Sequence, residues 1–237
     1  MHAELTKLLV LQAKDLALFE TDLRLKAIAD QLSTLSAQLE AAGRDLIVAK
    51  KRLDDGVKRR EDLEVRIDSY RTIQDRRRQR LEVVKGAREA QAVMTEVEMA
   101  RTVLVREEGE WVKVAEGVHD CERGVKAVED RIAQLEADQA PERERLNAEL
   151  AELESTRAAE RAARDASATE VERSLRMRYD RLRAARSVAV VVALRGEACG
   201  SCFTSVPRHR RAQIRAGEML DNCEACGVIL YAEEILE

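Results

Sequence analysis

Four cysteines in two closely spaced pairs are the residues of this sequence best suited to chemistry. Cys199 and Cys202 form the first pair, and Cys223 and Cys226 form the second after twenty intervening residues. Two pairs at this spacing are typical of a tetrahedral structural zinc site, because each tight turn presents two thiolates to the same ion. Gly227 follows the second pair, where such a turn often needs a positive φ. We therefore predict one structural Zn²⁺ held by these four thiolates.

Two other chemistries also use paired cysteines. The pairs could form disulfides, but residues 1–10 are too short and too polar a stretch to predict a secretory signal. One pair could instead be a redox dithiol, and this interpretation leaves the other pair without a role. The doubled spacing favours the zinc site, whose four sulfur ligands leave no open coordination position for a catalytic water.

No combination of residues in this sequence predicts an enzyme. The three histidines are widely scattered, and neither a phosphate-binding loop nor a catalytic triad can be recognised. We therefore expect no catalytic residues, no small-molecule substrate and no metal besides the structural zinc. Because no run of 18 apolar residues occurs, we also expect no transmembrane helix, and we interpret the chain as a cytoplasmic protein.

The composition predicts a mainly α protein built on long helices. Charged residues make up 36% of the 237 residues and aromatic residues only 3%, a profile typical of coiled coils. Apolar residues recur in steps of three and four from Leu25 to Val84, and again from Val93 to Leu135. Cys121 falls on the second of these seams, where we expect a small buried residue rather than a reactive thiol.

Two interruptions divide this helical region. The apolar seam is interrupted around Gly86, so residues 85–88 are predicted to be the turn of a long antiparallel coiled-coil hairpin that occupies residues 1–186. Near Pro141 we predict a break or a kink in the returning helix, because proline removes a backbone donor and clashes with the preceding turn. The helical region is expected to end near Ala185.

Residues 187–237 are predicted to form a small β zinc ribbon. The stretch 188–194 is apolar and rich in β-branched residues, which is typical of a buried strand. Residues 218–222 and 228–231 can pair as strands around the metal, and residues 207–216 can form a helical turn or an irregular loop. So few strands enclose only a small apolar core, and we therefore expect this region to unfold without its metal.

Two arginine-rich stretches are candidate binding surfaces. Arginine is suited to bidentate contacts with phosphate or carboxylate groups, so either nucleic acid or an acidic protein could bind there. At the hairpin tip the charges can also be interpreted as a solvated helix face. The candidate residues are Lys85, Arg88 and Glu89 at the tip, and Arg183, Arg186, Arg208, Arg210, Arg211 and Arg215 at the junction between the helices and the ribbon.

The helices and the ribbon together resemble a known family. The two cysteine pairs, followed by Gly227 and the sequence Ile229-Leu230-Tyr231, resemble the bacterial coiled-coil hairpin proteins with a C-terminal C4-type zinc ribbon. Residues 81–96 are similar to the hairpin motif of that family, although the tip lacks its asparagine and aromatic residue. Val228 stands where the family usually has arginine.

This resemblance implies a function as well as a fold. The family is described as predicted to bind nucleic acid, and some members act as adaptors for components of transcription or secretion. We therefore expect a non-enzymatic adaptor or scaffold that binds protein partners through the hairpin and the ribbon. The alternative is a protein that binds RNA or DNA through the arginine-rich junction. The sequence predicts no particular oligomeric state.

Overall fold

The computed structural model describes residues 3–186, 188–217 and 220–232, and they form a mainly α protein with a small β-sheet. Two long helices pack against each other, and the strands lie in the C-terminal part of the chain, so the predicted fold class is confirmed. The elements are α1 (Ala3–Val83), α2 (Ala87–Glu170), α3 (Arg173–Ala184), β1 (Val191–Arg195), β2 (Ala198–Cys199), α4 (Arg208–Arg215), β3 (Asp221–Asn222) and β4 (Ile229–Tyr231).

The chain divides into two compact units, to both of which the two long helices contribute. The first unit contains Met1–Leu32 and Arg143–Glu237, and therefore includes the sheet and all four paired cysteines. The second unit is Ser33–Glu142, which includes the connection between α1 and α2.

In the second unit, α1 and α2 run antiparallel. They are separated by only three residues, 84–86, two of which belong to the predicted turn. Arg80 pairs with Glu89 close to this connection, with 3.2 Å between Nη2 and Oε1. Lys50 pairs with Glu129 much further from it, with 2.8 Å between Nζ and Oε1. The sequence separation between paired residues increases with their distance from the connection. This is the pattern of two antiparallel helices.

The ion pairs that link α1 and α2 in this unit share one polarity, with the cation on α1 and the carboxylate on α2. Most of these side chains are exposed, so each pair contributes little to stability. Because the paired cations all lie on α1 and the paired carboxylates on α2, either helix would face like charges if it paired with a second copy of itself. This arrangement therefore disfavours self-pairing of α1 or of α2. The pairs are Lys50–Glu129, Arg59–Glu110, Arg66–Glu107, Arg71–Glu108, Arg77–Glu96 and Arg80–Glu89.

Between these helices, small residues allow a close approach at one point and leave a groove at another. A Cβ added to Gly56 would lie 3.2 Å from Cγ2 of the buried Val118, so α1 and α2 approach closely there. Cys121 is only partly buried, because it lines a groove beside Ala49 and Gly124. The prediction that Cys121 is a small buried residue is therefore wrong.

Of the break or kink predicted near Pro141, the break does not occur, because α2 continues through this residue to Glu170. Proline deprives the carbonyl of Ala137 of its helical donor, but both residues are exposed, so water can bind that carbonyl instead. The helix ends where Val171 enters the buried apolar core. Glu172 then caps α3 and accepts hydrogen bonds from the backbone of the residues that follow.

The C-terminal strands form one sheet in the order β2-β1-β4-β3. β1 pairs with β4 in parallel, whereas the outer pairs are antiparallel. The strand predicted at 188–194 begins later, since Val188 is 60% exposed and β1 starts at Val191. Of the strand predicted at 218–222, residues 218 and 219 lie outside the described residues, and the last two form β3. Residue 187, where the ribbon was predicted to begin, is likewise not described.

Two apolar clusters lie in the first unit, and only one of them contains the cysteines. The first cluster joins the start of α1, α3 and the sheet: Leu5, Leu8, Leu11, Ala168, Val171, Leu175, Tyr179, Val190, Val191 and Ile229. The second cluster lies within the ribbon: Leu194, Cys199, Val206, Ile214, Cys223, Val228, Leu230 and Ala232. One face of the sheet is therefore supported by helices, and the expectation that residues 187–237 unfold without the metal stays a prediction.

Gln12 of α1 forms hydrogen bonds with the backbone at the start of β1. Its Oε1 accepts hydrogen bonds from the backbone N–H groups of Val190 and Val191, at 2.8 and 2.7 Å. Its Nε2 donates to the carbonyl of Val191 at 2.8 Å. The side-chain amide thus takes the place of a neighbouring strand, and it satisfies backbone groups that are otherwise buried without a partner.

We expect Gln12→Ala to destabilise the first unit by about 2–4 kcal/mol, because it leaves two buried donors and one acceptor without partners. The measurement is the chemical denaturation midpoint, together with amide hydrogen exchange at Val190 and Val191, which should become faster. Gln79→Ala is the matched control, since Gln79 is exposed on the same helix. Equal effects of the two substitutions would contradict this role of Gln12.

Candidate metal centre

The structure brings the four paired cysteines together. The Sγ atoms of Cys199 and Cys226 are 3.8 Å apart, and those of Cys202 and Cys223 are 3.6 Å apart. All four sulfur atoms lie within 4.8 Å of one another, whereas a disulfide requires about 2.0 Å. This is the one cluster with metal-binding geometry found in the part of the chain that the structure describes. The four thiols could therefore hold a metal ion.

The two cysteine pairs lie in turns of the same form. The backbone N–H of Phe203 donates to the carbonyl of Cys199 at 2.9 Å, and that of Gly227 donates to the carbonyl of Cys223 at 2.7 Å. The residue after each pair has a positive φ, 77° at Gly227 and 60° at Phe203. The positive sign of φ at Gly227 was predicted from the sequence. Phe203 was missed, although its equivalent place after the first pair was a signal that could have indicated it.

Gly200, inside the first cysteine pair, is required by a close backbone approach. Its N–H donates to the carbonyl of Ala193 in β1 at 3.1 Å. A Cβ added to Gly200 would lie 2.4 Å from the same carbonyl oxygen, which is far inside van der Waals contact. The turn can therefore pack on β1 only with glycine at this position. No sequence pattern indicated this requirement, because it arises from a strand that precedes the turn.

The environments of the thiols differ. Burial raises the pKa of Cys199 to about 12 and also raises the pKa of Cys223. Hydrogen bonds with the side chain and backbone of Thr204 lower the pKa of Cys202 to about 6. Because thiolates are the ligands, a metal ion must displace protons from the buried cysteines, so we expect its affinity to fall with decreasing pH.

Side chains of α3, and of Arg186 just after it, hold the turn of the second cysteine pair in place. Arg186 donates to the carbonyl of Cys226, and Leu182 packs beside Gly227, 3.8 Å from where a Cβ would be. Arg178 donates to the side chain of Asn222 at 2.9 Å. Arg186, predicted as a binding residue for a partner, is thus engaged in an internal contact with the candidate metal centre.

Arg183, another predicted binding residue, belongs to a polar cluster at the base of the long helices. Its Nη2 donates to the backbone carbonyl of Asp15 at 3.0 Å, and its guanidinium stacks 5.7 Å above the ring centre of Phe19. The carboxylate of Asp15 accepts hydrogen bonds from Tyr179 at 2.8 Å and from Arg164 at 3.1 Å. Burial and Asp15 raise the pKa of Tyr179. This cluster links α1, α2 and α3.

Two further predicted binding residues on α4 form ion pairs within the ribbon. Arg210 pairs with Asp221, at 2.6 Å from Nε to Oδ2, and with Glu224 at 2.5 Å from Nη1 to Oε1. Arg211 pairs with Glu197 at 2.5 Å. Their side chains are only 15% and 13% exposed. Arg210 and Arg211 therefore stabilise the ribbon, and little of their charge faces an external ligand.

Other arginines of the junction are exposed. Arg208 makes no ion pair with any described residue, whereas the exposed Arg215 donates to the carbonyl of Gly196 at 3.3 Å. Exposed arginines without an ion pair in the described ranges also include Arg173, Arg181 and Arg195. The structure thus separates the predicted basic junction into internal arginines and a smaller set that faces solvent.

At the connection between the long helices, Lys85 and Arg88 are exposed. Neither forms an ion pair with the residues that the structure describes. Glu89 is also exposed but pairs with Arg80.

Within the described ranges, no helix is both long enough and apolar enough to cross a membrane.

The fold resembles solved structures over nearly the whole chain. CT398 from Chlamydia trachomatis matches with a TM-score of 0.94 at 18% identity, covering 98% of this chain and 99% of that protein. The HP0958 protein from Helicobacter pylori matches with a TM-score of 0.65 at 16% identity, covering 97% of both chains. A protein from Mycobacterium smegmatis has a TM-score of 0.65 at 26% identity, covering 98% of this chain and all of the other.

No protein-family profile and no curated protein matches this sequence. At these levels of identity, the structural similarities establish a shared fold. Function must therefore be argued from the residues of this chain.

Proposed function

We propose that this protein is a non-enzymatic adaptor whose ribbon is stabilised by one structural Zn²⁺. The observation that carries the structural, non-catalytic role of the metal is the cluster of four thiols. A tetrahedral zinc ion with Zn–S bonds of about 2.3 Å places its sulfur ligands about 3.8 Å apart. The Sγ separations of 3.8 Å and 3.6 Å agree with that geometry. Four protein ligands leave no position for a water or a substrate, so the metal serves the fold.

The chemistry of the ligands supports zinc in particular. Soft thiolates favour Zn²⁺ over the hard cations that prefer oxygen. The reducing cytoplasm, where we place this protein, would keep the cysteines available as thiolates. The resemblance to the bacterial hairpin proteins with a C4-type zinc ribbon supports the same assignment.

Protein binding is the function that the exposed charges fit best. The cations Lys85 and Arg88 at the tip face solvent and are not required by internal ion pairs in the described structure. Some members of the family that the hairpin and ribbon resemble act as adaptors for components of transcription or secretion, and we propose a role of this kind. A pair of long helices with exposed charges can contact a partner without any pocket for a small molecule.

Nucleic acid is the second candidate ligand, favoured by the exposed Arg173, Arg181, Arg195 and Arg208. Phosphate contacts would then supply most of the affinity, and binding would weaken steeply with salt. This candidate ranks second because Arg210 and Arg211 are neutralised by carboxylates of the ribbon itself. Fewer guanidinium groups than the sequence contains are left to neutralise phosphates.

Affinity purification of the tagged, zinc-loaded chain after crosslinking in cells tests the adaptor proposal. We expect at least one protein partner that remains bound after nuclease treatment. Its recovery should fall for the double variant Lys85→Gln/Arg88→Gln if it binds the tip. Lys113→Gln/Lys126→Gln is the matched control, because both lysines are exposed in the same unit. Loss of every partner on nuclease treatment would instead favour the nucleic-acid alternative.

A further inference from the structure

Phe203 combines two features that folding does not require. It is the one residue other than glycine with a positive φ among those described, and its side chain is 66% exposed. An L-residue with a β-carbon is strained in the left-handed region, and an exposed aromatic ring gains little from burial.

Comparison with the second cysteine turn shows which residue would suit position 203 if only the stability of the fold mattered. Gly227 occupies the position equivalent to Phe203 and adopts the positive φ without steric cost. A glycine at 203 would form the same turn, with the same hydrogen bond to Cys199. Strained residues that persist on a surface are concentrated at functional sites, so the ring of Phe203 calls for a role outside the fold.

Two exposed arginines belong to the backbone segments around the first cysteine turn: Arg195 pairs with Ala198, and Ala198 forms a bridge with Ser205, shortly before Arg208. Arg195 lies beside the first cysteine turn, since its Cγ is 3.8 Å from where a Cβ of Gly200 would be. Arg208 begins α4 shortly after Phe203, and both arginines are exposed and without ion pairs in the described part of the ribbon. The carboxylates of Glu197 and Glu224 are engaged by Arg211 and Arg210.

We propose that Phe203, Arg195 and Arg208 form a docking surface for an acidic segment of a protein partner. The ring packs against an apolar side chain of that segment, and the two guanidinium groups pair with its carboxylates. This inference rests on the proposed adaptor function and names the chemistry of the partner at the ribbon.

The number of available groups favours a protein over a nucleic acid. Binding a nucleic acid single strand uses several stacked rings and several phosphate contacts. Phe203 is one ring, and Arg210 and Arg211 are already paired with carboxylates. A protein interface, by contrast, can be dominated by one aromatic anchor with a few charges at its rim. Carboxylates on the partner complement the two free cations.

Panning a library of random short peptides on the immobilised, zinc-loaded full-length chain tests this surface. We expect enriched sequences to carry Asp and Glu residues around an apolar side chain. A synthetic peptide from the enriched set should bind Phe203→Gly at least about tenfold more weakly. Arg195→Gln and Arg208→Gln should each weaken it and reduce its salt dependence. Arg131→Gln on α2 and Met177→Ala on α3, both at exposed positions, should leave binding unchanged.

The stability of the variants separates a docking role from a structural one. Phe203→Gly should retain one metal ion per chain and unfold at the same or a higher temperature, because the strain is relieved. Phe203→Asn gives a second test, since asparagine tolerates a positive φ while removing the ring. Loss of peptide binding with metal content intact in either variant supports the docking surface.

Three outcomes would overturn the proposal. These are a library that yields no enrichment, enriched peptides that are not acidic, and peptide affinity that Phe203→Gly leaves unchanged. An oligothymidylate whose binding requires Phe203, when no acidic peptide does, would assign the surface to nucleic acid. The adaptor function is tested separately, because a nuclease-resistant partner that still binds Phe203→Gly removes only this surface. Absence of any such partner removes the adaptor function while leaving the peptide measurement valid.

Discussion

Cys223→Ser is expected to reduce the metal content of the purified protein from one zinc ion per chain to near zero after dialysis against a chelator. Cys223 is buried in the apolar cluster of the ribbon, and its Sγ lies 3.6 Å from that of Cys202. A serine hydroxyl is a poor ligand, so the site would retain only three thiolates. Because structural zinc with a full ligand set contributes about 10–16 kcal/mol, we expect affinity to fall by several orders of magnitude. Elemental analysis measures this directly.

Cys121→Ser is the matched control for this substitution. Cys121 lies in the second unit, outside the cluster of four thiols. Its substitution by serine should therefore leave the metal content unchanged. Equal zinc content in the Cys223→Ser and wild-type proteins would contradict the site.

The structure also predicts which part of the chain is destabilised when the metal is removed. Amides of the ribbon cluster, such as those of Leu194 and Leu230, should exchange faster once the metal is removed. The helical circular dichroism signal should change little, because α1 and α2 contain most of the helical residues. Complete loss of helicity on chelation would contradict this assignment of the metal to the ribbon alone.

Gly200→Ala is expected to weaken metal binding roughly a hundredfold, although it removes no ligand. The added Cβ would meet the carbonyl oxygen of Ala193 at 2.4 Å, and neither group can move away by a side-chain rotation. Overpacking against backbone costs about 1–3 kcal/mol, and displacement of the turn also strains the hydrogen bond from Gly200 to Ala193. Because both Cys199 and Cys202 belong to this turn, its displacement separates the ligands. Competition with a coloured chelator measures the affinity.

The control for Gly200→Ala is Gly43→Ala in α1, where no atom lies within 4 Å of the added carbon. Alanine is favoured over glycine in a helix by about 0.5–1 kcal/mol, so this variant should be slightly more stable and bind metal normally. Normal metal affinity in Gly200→Ala would show that β1 yields to the turn, and that the close approach imposes no requirement for glycine.

Features encoded by local spacing could be predicted from the sequence. The two C-x2-C pairs indicate a four-sulfur site because each turn is short enough to determine its own geometry. The apolar recurrence up to Val84 and from Val93 indicates two long helices, since the period of a helix is a property of neighbouring residues. The positive φ of Gly227 follows from the same local rule.

Local rules failed where a distant part of the chain or the solvent made the difference. Of the break or kink predicted at Pro141, the break does not occur, because the carbonyl that proline deprives of a donor is exposed to water. Arg210 and Arg211 belong to the same arginine-rich sequence as Arg208, but the folded ribbon places carboxylates against only the first two. The charges of Arg210 and Arg211 are thus neutralised by carboxylates within the fold. Counting charges along the sequence cannot show which arginines are neutralised in this way.

By itself, the sequence determined the helices, the two cysteine pairs that could hold a metal and the form of the second turn, because each depends on residues a few positions apart. The tertiary structure alone decided that Gln12 completes the hydrogen bonding of β1, and that Gly200 has no room for a side chain. It also decided that the ring of Phe203 faces solvent in a strained turn. Burial and close approach depend on which segments, distant in sequence, pack against each other. The residue pattern of one segment does not indicate which other segment packs against it.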